Sequence, residues 1–357
     1  MSITKIVITG GPCAGKSTAM SRIQKELTQL GYKVYFIAES ATELITSGIT
    51  PDLKNFQKHL LQYQLDKEKV YENIAKDNKA KTVIILDRGV LDSKIYMQPG
   101  EFKRICKALN TSELELRDHY DAVFHLVTAA KGAAEFYTTA NNTARRETVE
   151  EAAYMDDRGI EAWTGHPHFR VIDNSTNFDD KIKRLMKEIT SFLGEPEPFE
   201  IERKFLIKKP SLKWLDSLPN VEKVEIIQTY LKSTNPNEEV RVRQRGLNGQ
   251  YIYTKTTKRT VSDVKRVEVE KRLSQAEYIN YLMDADTNKH QIRKTRYCMT
   301  YDNCYLEIDI YPGWKNEAIL EIELSSEDAK ISIPDKIKII KDVTDDESYK
   351  NVNLANS

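Results

Sequence analysis

The sequence predicts two folds in succession: an α/β unit with a parallel sheet and helices on both faces, then an antiparallel β-barrel with a charged interior. Three observations predict this. Up to residue 192, short β-branched runs alternate with runs of helical spacing, the signature of a parallel sheet. At Gly194-Glu195-Pro196-Glu197-Pro198, two prolines and a glycine end the preceding helix and keep the chain extended. Beyond Glu200, strand-like runs follow one another directly, and each carries charges at i and i+2. The expected division is therefore 1–194, a linker at 195–198, and 199–357.

The first element is Lys5-Ile6-Val7-Ile8-Thr9, a buried strand by composition. Gly10-Gly11-Pro12-Cys13-Ala14-Gly15-Lys16-Ser17-Thr18 follows and fits G-x-x-x-x-G-K-[ST], the phosphate-binding P-loop. Met20, Ile23, Leu27 and Leu30 then repeat at helical spacing. Strand, glycine-rich loop and helix are the context the motif requires. The glycines let backbone N–H groups turn toward a phosphate, and the helix N-terminus adds positive potential. Lys16 is placed to reach the β- and γ-phosphates of ATP or GTP, and Ser17 to hold Mg²⁺.

Four more strands are expected at 34–38, 82–87, 122–127 and 169–173, with long helices at 56–75 and 178–192. Ligands of such sheets lie beyond the carboxyl ends of the strands. Glu39 ends the second strand and Asp87 the third, in Asp87-Arg88-Gly89. Either carboxylate would order the metal's water shell or take a proton from an acceptor hydroxyl. The plainer alternatives are a helix cap for Glu39-Ser40 and an ion pair for Asp87-Arg88. The stretch 141–168 reads as a mobile flap carrying Arg145-Arg146, which would neutralise charge on a γ-phosphate; a solvated charged helix is the alternative. His166-Pro167-His168 lacks the further ligands of a metal site.

In the second half, alternation gives seven strands. Glu200, Glu202 and Lys204 share one face, as do Arg241, Arg243 and Arg245; Lys255 lies with Tyr251 and Tyr253. Glu268 pairs with Glu270, Lys294 with Arg296, Glu307 with Asp309, and Glu321 with Glu323. In one strand such a pattern means only a solvated face. Repeated seven times, it fits a closed barrel with a charged lumen and an apolar exterior, partly covered by a helix at 274–284; an open sheet with a charged outer face is the alternative. Paired carboxylates suit a hard cation such as Mg²⁺ or Mn²⁺, and the facing cations suit a phosphate chain.

Composition narrows the function. The chain is 40% hydrophobic and 30% charged, with formal net charge zero. Basic and acidic residues balance in both halves, so a nucleic-acid partner with a broad basic face is disfavoured and none is expected. No apolar run reaches membrane-spanning length, and the N-terminus leads straight into a strand, so a cytoplasmic protein is expected. The four cysteines lack metal-site spacing.

Two resemblances follow from these residues. Residues 1–193, through the P-loop, Glu39 and Asp87-Arg88-Gly89, resemble the P-loop kinase-like domain of nicotinamide riboside kinase-type and nucleotide-kinase proteins. The run Glu200-Ile201-Glu202-Arg203-Lys204 resembles the E-x-E-x-K signature of the CYTH, or triphosphate tunnel metalloenzyme, superfamily. Arg241-x-Arg243, Lys255, Glu268-x-Glu270, Lys294-x-Arg296, Asp309 and Glu321-x-Glu323 follow in that family's order. The resemblance implies an eight-stranded antiparallel tunnel. Glu200, Glu202, Glu268, Glu270, Asp309, Glu321 and Glu323 would be metal ligands. Lys204, Lys294 and Arg296 would be catalytic, alongside Glu39, Asp87 and Arg145 in the first half. Arg241, Arg243, Arg245 and Lys255 would grip a triphosphate. The pairing of domains resembles the TRPL translocation defect protein group, implied to bind GTP and phosphoinositides. The expected activity is a metal-dependent triphosphatase with a nucleotide-binding P-loop domain. The alternatives are a regulatory protein that binds anionic phospholipid head groups and a class IV-like adenylyl cyclase.

Overall fold

The β-branched run that opens the chain has no polar face to give to water, and it becomes the middle strand of a parallel sheet. The structure is a computed structural model that describes residues 3–132, 148–195, 201–233, 235, 238–262, 265–324 and 331–356, with backbone alone for 201, 259–262 and 265–269. It divides into two units, Met1–Glu188 and Ile189–Ser357. The division falls inside the helix that precedes the expected linker, and Pro196-Glu197-Pro198 lie outside the described residues.

In the first unit the order is β1 (Ile3–Gly10), α1 (Lys16–Gln29), β2 (Lys33–Ile37), α2 (Ser40–Thr46), α3 (Phe56–Lys76), β3 (Thr82–Asp87), a 3-10 turn (Val90–Tyr96), α4 (Glu101–Ala108), α5 (Glu113–Arg117), β4 (Ala122–Leu126), α6 (Val149–Trp163), β5 (Phe169–Ile172) and α7 (Phe178–Phe192). Among the described residues the sheet has five strands in the order β2-β3-β1-β4-β5, all parallel. Ile6, Val7, Ile8, Ile84 and Ile85 are wholly buried, as strands covered on both faces must be. The parallel register brings Gly10, Ile37, Asp87 and Leu126 to one edge, where the sequence placed the ligand. The described part of the expected flap, 148–168, is a correction. It is a capped helix, α6, whose buried face includes Ala152, Asp156, Ile160 and Trp163. The apolar spacing along that stretch outweighs its charged residues.

Beneath the sheet lies a buried ionic cluster that periodicity does not reveal. The Lys5 ammonium donates to Glu68 at 2.8 Å and to Glu72 at 2.6 Å. The Tyr120 hydroxyl donates to Glu68 at 2.8 Å, and His119 Nε2 lies 3.2 Å from Glu72. The spacing of Glu68, Glu72 and His119 would suit a metal ion, but Lys5 already takes that place.

The second unit contains β6 (Ile201–Lys208), α8 (Leu212–Leu215), β7 (Val221–Leu231), β8 (Glu238–Leu247), β9 (Gln250–Ser262), β10 (Lys265–Leu273), α9 (Gln275–Leu282), β11 (Ile292–Tyr301), β12 (Cys304–Ile310), β13 (Glu317–Leu324), β14 (Ile339–Asp342), a 3-10 turn (Glu347–Tyr349) and α10 (Asn351–Leu354). Among the described residues its sheet has nine antiparallel strands, not eight, in the order β10-β9-β8-β7-β11-β12-β13-β6-β14. Among the described residues the edge strands β10 and β14 are not paired to each other, so the hydrogen-bonded ladder is not closed there. β7 was not foreseen, because Ile226-Ile227 interrupts its alternation. The sheet is nevertheless strongly curled. Leu206 on β6 and Tyr230 on β7 belong to one buried cluster, although four ladder steps, roughly 19 Å in a flat sheet, separate their strands.

The outer face of β6 and β11–β13 is apolar: Phe205, Ile207, Tyr297, Leu306, Ile308, Leu320 and Ile322 pack with Leu215 of α8. The outer face of β8 and β9 is covered by α9, through Val242, Tyr253 and Tyr278. Among the described residues no helix is long and apolar enough to cross a membrane.

The Lys5 cluster yields the first prediction. Against its own burial, His119 and Lys5 hold the Glu72 carboxyl at about 2, below its ordinary 4.5. A lowered carboxylate contributes its full stability above pH 4.5 and loses it as pH falls toward 2. Glu72→Gln is therefore expected to lower the thermal midpoint at pH 7, with the gap to wild type closing by about pH 2. A gap independent of pH would refute the ion-pair account.

Candidate functional sites in the two units

The phosphate loop of the first unit adopts the curve its glycines permit. Gly10, Cys13 and Gly15 all have positive φ, at 145°, 56° and 91°. A side chain at Gly10 would strike the Leu126 carbonyl at 2.1 Å, so both conformation and space require glycine there. Gly15 caps α1 without a side-chain cap, which leaves the first N–H groups of the helix turned to the loop. The Lys16 ammonium rests on the Gly10 carbonyl at 3.3 Å. Burial, then the neighbouring Arg88, lowers its pKa, while Asp87, Glu39 and Asp92 oppose that. Gly11 and Ala14 are buried, Pro12, Cys13 and Gly15 half-buried, and Ser17 and Thr18 exposed at the start of α1.

Glu39 and Asp87 both reach this edge, with different partners. Glu39 accepts from Thr42 at 2.8 Å and pairs with Arg88 Nε at 2.7 Å. Against burial, Arg88 and Lys16 keep its carboxyl below the ordinary range. Its side chain caps no backbone N–H of α2. Arg88, at φ 67°, pairs with Glu39 and Asp92 rather than with the adjacent Asp87. Burial raises the Asp87 carboxyl, and its Oδ1 is buried with no hydrogen-bond partner. An orphaned carboxylate oxygen beside Lys16 is the observation that fits a hydrated Mg²⁺ held with a nucleotide. Asp92, which sequence reasoning passed over, accepts from Thr9 and from Gly89 N–H at 2.8 Å, tying the strand before the loop to the turn after β3. His166 is no metal ligand: its Nε2 lies 2.9 Å from the Tyr120 carbonyl, and its Nδ1 accepts from His168 N–H at 3.0 Å. Arg145 and Arg146 lie outside the described residues.

In the second unit the charged faces turn into the curl. Arg296 on β11 is the hub. Its Nε and Nη2 grip the two oxygens of Asp309 on β12, each at 2.7 Å. The same guanidinium pairs with Glu307 on β12 and Glu321 on β13. The Lys294 ammonium also pairs with Asp309. Lys204 on β6 reaches Glu321 at 3.0 Å and Glu202 at 3.6 Å. Lys294, Asp309 and Glu321 are buried. Burial, then Arg296, lowers the pKa of Lys294. Burial and the Glu321 carboxylate push Glu202 up to about 7; against its own burial, Lys294, Arg296 and Lys204 hold Glu321 well below the usual range.

The cross-strand register supplies the rest. Glu202 sits opposite Glu323, Lys204 opposite Glu321, and Glu307 opposite Glu321. Arg241, Arg243 and Arg245 share one face of β8, opposite Tyr230, Gln228 and Ile226 of β7, and all three point away from α9. By β8 alternation all three turn inward.

Lys255 is a correction. It sits opposite Val242 on the outer face, with its ammonium 4.4 Å from the Tyr281 ring of α9. The lumen side of β9 carries Thr254 and Thr256, and Thr256 donates to Glu270 at 3.0 Å. Glu270 is exposed, on the edge strand. Asp309 spends its oxygens on Lys294 and Arg296, which makes it an anchor of cations. Glu200 and the Glu268 side chain lie outside the described residues. Glu321 also pairs with Lys204 and Arg296, so it would share its oxygens with a metal; with Glu202 and Glu323 it offers only carboxylate oxygens, a donor chemistry that fits a hard divalent cation.

The two units match two family models: an AAA domain over residues 5–181 and a CYTH domain over residues 198–348. An inorganic triphosphatase of Nitrosomonas europaea is 30% identical over 158 residues, which cover 44% of this chain and 96% of that protein. A crystal structure of an inorganic triphosphatase is 29% identical, covers 44% of this chain and 95% of that one, and superposes with a TM-score of 0.33. Deoxyadenosine kinase from M. mycoides with bound dATP is 19% identical, covers 52% of this chain and 100% of that one, and has a TM-score of 0.35. The second half of this chain belongs to the CYTH domain family, and an AAA-type P-loop domain precedes it.

Proposed function

We propose that the chain handles phosphoanhydrides at two sites: the tunnel hydrolyses a triphosphate, either tripolyphosphate or that of a nucleotide, with Mg²⁺ or Mn²⁺, and the P-loop domain binds ATP or GTP with Mg²⁺ as a kinase or NTPase. The domains run 1–194 and 199–357 about the 195–198 linker, and the protein works in the cytoplasm. One observation carries the tunnel reading. Cations from β6, β8 and β11 and carboxylates from β6, β12 and β13 face one curled interior with an apolar outside. The relative's activity as an inorganic triphosphatase supports the same reading.

Each group has a role under this proposal. Arg241, Arg243, Arg245, Lys204, Lys294 and Arg296 bind the phosphate chain and balance its charge. Glu202, Glu321 and Glu323, with Glu200, hold the cation, which supplies Lewis-acid polarisation of the phosphoryl oxygens. Asp309 fixes Lys294 and Arg296 before substrate arrives, so the cations need no reorganisation. In the P-loop domain Lys16 holds the terminal phosphates, and Asp87 or Glu39 orders the metal's water or takes the acceptor's proton.

The deciding experiment is phosphate release from tripolyphosphate, ATP and GTP with Mg²⁺ or Mn²⁺. Glu202→Gln combined with Glu321→Gln is expected to lower tripolyphosphate turnover about 100-fold or more, while Lys16→Ala leaves it within about twofold and weakens nucleotide binding. Tripolyphosphate turnover retained by the glutamine pair would refute the tunnel assignment. Product analysis separates hydrolysis from cyclisation. A third prediction concerns Asp309→Asn, which leaves buried Lys294 and Arg296 short of a counter-charge. It is expected to cost about 3 kcal/mol in urea unfolding of the full chain, with part recovered when Lys294→Met is added.

A further inference from the structure

We infer that Asp156 on α6 and Lys181 on α7 are positioning residues that hold the phosphate loop in its ligand-ready curve, one buried charge at each end. The inference rests on the proposed nucleotide site and adds what keeps that site shaped. A loop with three positive-φ residues does not hold itself, and its backbone groups need partners. Its carbonyls are turned to the protein. The Gly10 carbonyl accepts from Lys16, the Pro12 carbonyl from the Thr128 hydroxyl, the Cys13 carbonyl from Ala129 N–H at 3.4 Å, and the Ala14 carbonyl from Lys181 at 3.3 Å. With these carbonyls held and Gly11 N–H given to Asp156, the uncapped amides at the start of α1 are the donors for an anion.

The charged anchors are built for this place. Asp156 is wholly buried, and its Oδ1 accepts from Gly11 N–H and Thr128 N–H, each at 3.0 Å, beside His125 Nε2 at 3.0 Å. Lys131 offsets its charge at 3.0 Å. A side chain at Gly11 would meet the Asp156 carboxylate at 2.9 Å, so the loop and α6 are fitted closely. Lys181 is 3% exposed and has one acceptor for each ammonium hydrogen: the Ala14 carbonyl, the Val127 carbonyl at 2.6 Å and Asn174 Oδ1 at 2.7 Å. It thus joins the phosphate loop to the ends of β4 and β5. Phe178, three residues earlier on α7, lies against Gly15.

The three-acceptor arrangement makes the anchor depend on its proton. A neutral amine has two hydrogens and leaves one carbonyl without a donor. Burial, helped by Arg184 on its own helix, lowers Lys181 to about 8 against the opposing charges of Asp156 of α6 and Asp173 after β5. Raising pH through about 8 loosens the loop. Folding stability moves the other way. A depressed lysine binds fewer protons folded than unfolded, so its folded state gains as pH climbs from about 8 toward 10.5. A merely structural Lys181 would show only that gain.

The test is calorimetric titration of the full chain with MgATP and MgGTP from pH 7 to 9, for wild type, Lys16→Ala, Asp156→Asn and Lys181→Met, with thermal midpoints for each. Expected are nucleotide affinity weakened about tenfold in Asp156→Asn and Lys181→Met at pH 7, a fall in wild-type affinity above pH 8, and no such step in Lys181→Met. Folded variants with wild-type affinity, together with a flat wild-type profile, would overturn the assignment while Lys16→Ala still lost binding. Wild type that binds neither nucleotide would overturn the nucleotide site itself. Should both variants fail to fold, Asn174→Ala, which removes one of the three Lys181 acceptors, takes their place: weakened affinity at pH 7 supports the anchor, and wild-type affinity refutes it.

Discussion

The tunnel unit depends on one buried contact, the two-point grip of the Arg296 guanidinium on Asp309. A β-sheet curled with its charges inward reverses the usual arrangement, because each buried ion loses its hydration. The reversal is tolerated where every charge meets its opposite with good geometry. Arg296 does this across three strands, touching Asp309, Glu307 and Glu321. The same guanidinium ties β11 to β12 and β13, so the electrostatics of the interior and the shape of the sheet are linked. Outside, Leu306, Ile308, Leu320 and Ile322 supply the hydrophobic burial that a charged lumen cannot.

The P-loop unit solves a related problem with fewer charges. A loop that must present donors to a phosphate has to hide its acceptors. Here the acceptors meet Thr128, Lys16 and Lys181, from three different elements. Arg88, Glu39, Asp87 and Lys16 form a compact charged group at the same edge, in which one carboxylate is paired and the other keeps a bare oxygen.

Much of this was legible in the sequence, for reasons particular to each element. The parallel strands were readable because Ile6-Val7-Ile8 and Val83-Ile84-Ile85-Leu86 cannot sit on a surface. The P-loop was readable because a glycine-rich curve ahead of a helix has few other uses. The inward faces of β6, β11 and β13 were readable from period two. What escaped has a common physical cause: pairing at long sequence distance. Nothing local marks Asp156 as the acceptor of Gly11 N–H, or Lys5 as the partner of Glu68. Lys255 misled because alternation assigns a face but does not say which face is inside; only Val242, packed under α9, decides that. β7 escaped because Ile226-Ile227 breaks the alternation in a strand that is central by topology alone.

The strand order has a consequence for how the chain is made. β6 comes first in the tunnel unit, yet its neighbours are β13 and β14, the last two strands. Lys204 N–H donates to Thr344, 140 positions later. The cluster of Glu202, Lys204 and Glu321 therefore cannot form on the ribosome until nearly the whole unit has emerged, and β6 must wait with an unpaired edge. Closing so long a span slows folding, because the entropy of the loop is lost before any contact returns it. A chain that stopped before Glu317 would keep Asp309 for Lys294 and Arg296 but would leave Lys204 and Arg296 without Glu321. The order of synthesis thus ties the appearance of the charged interior to completion of the chain.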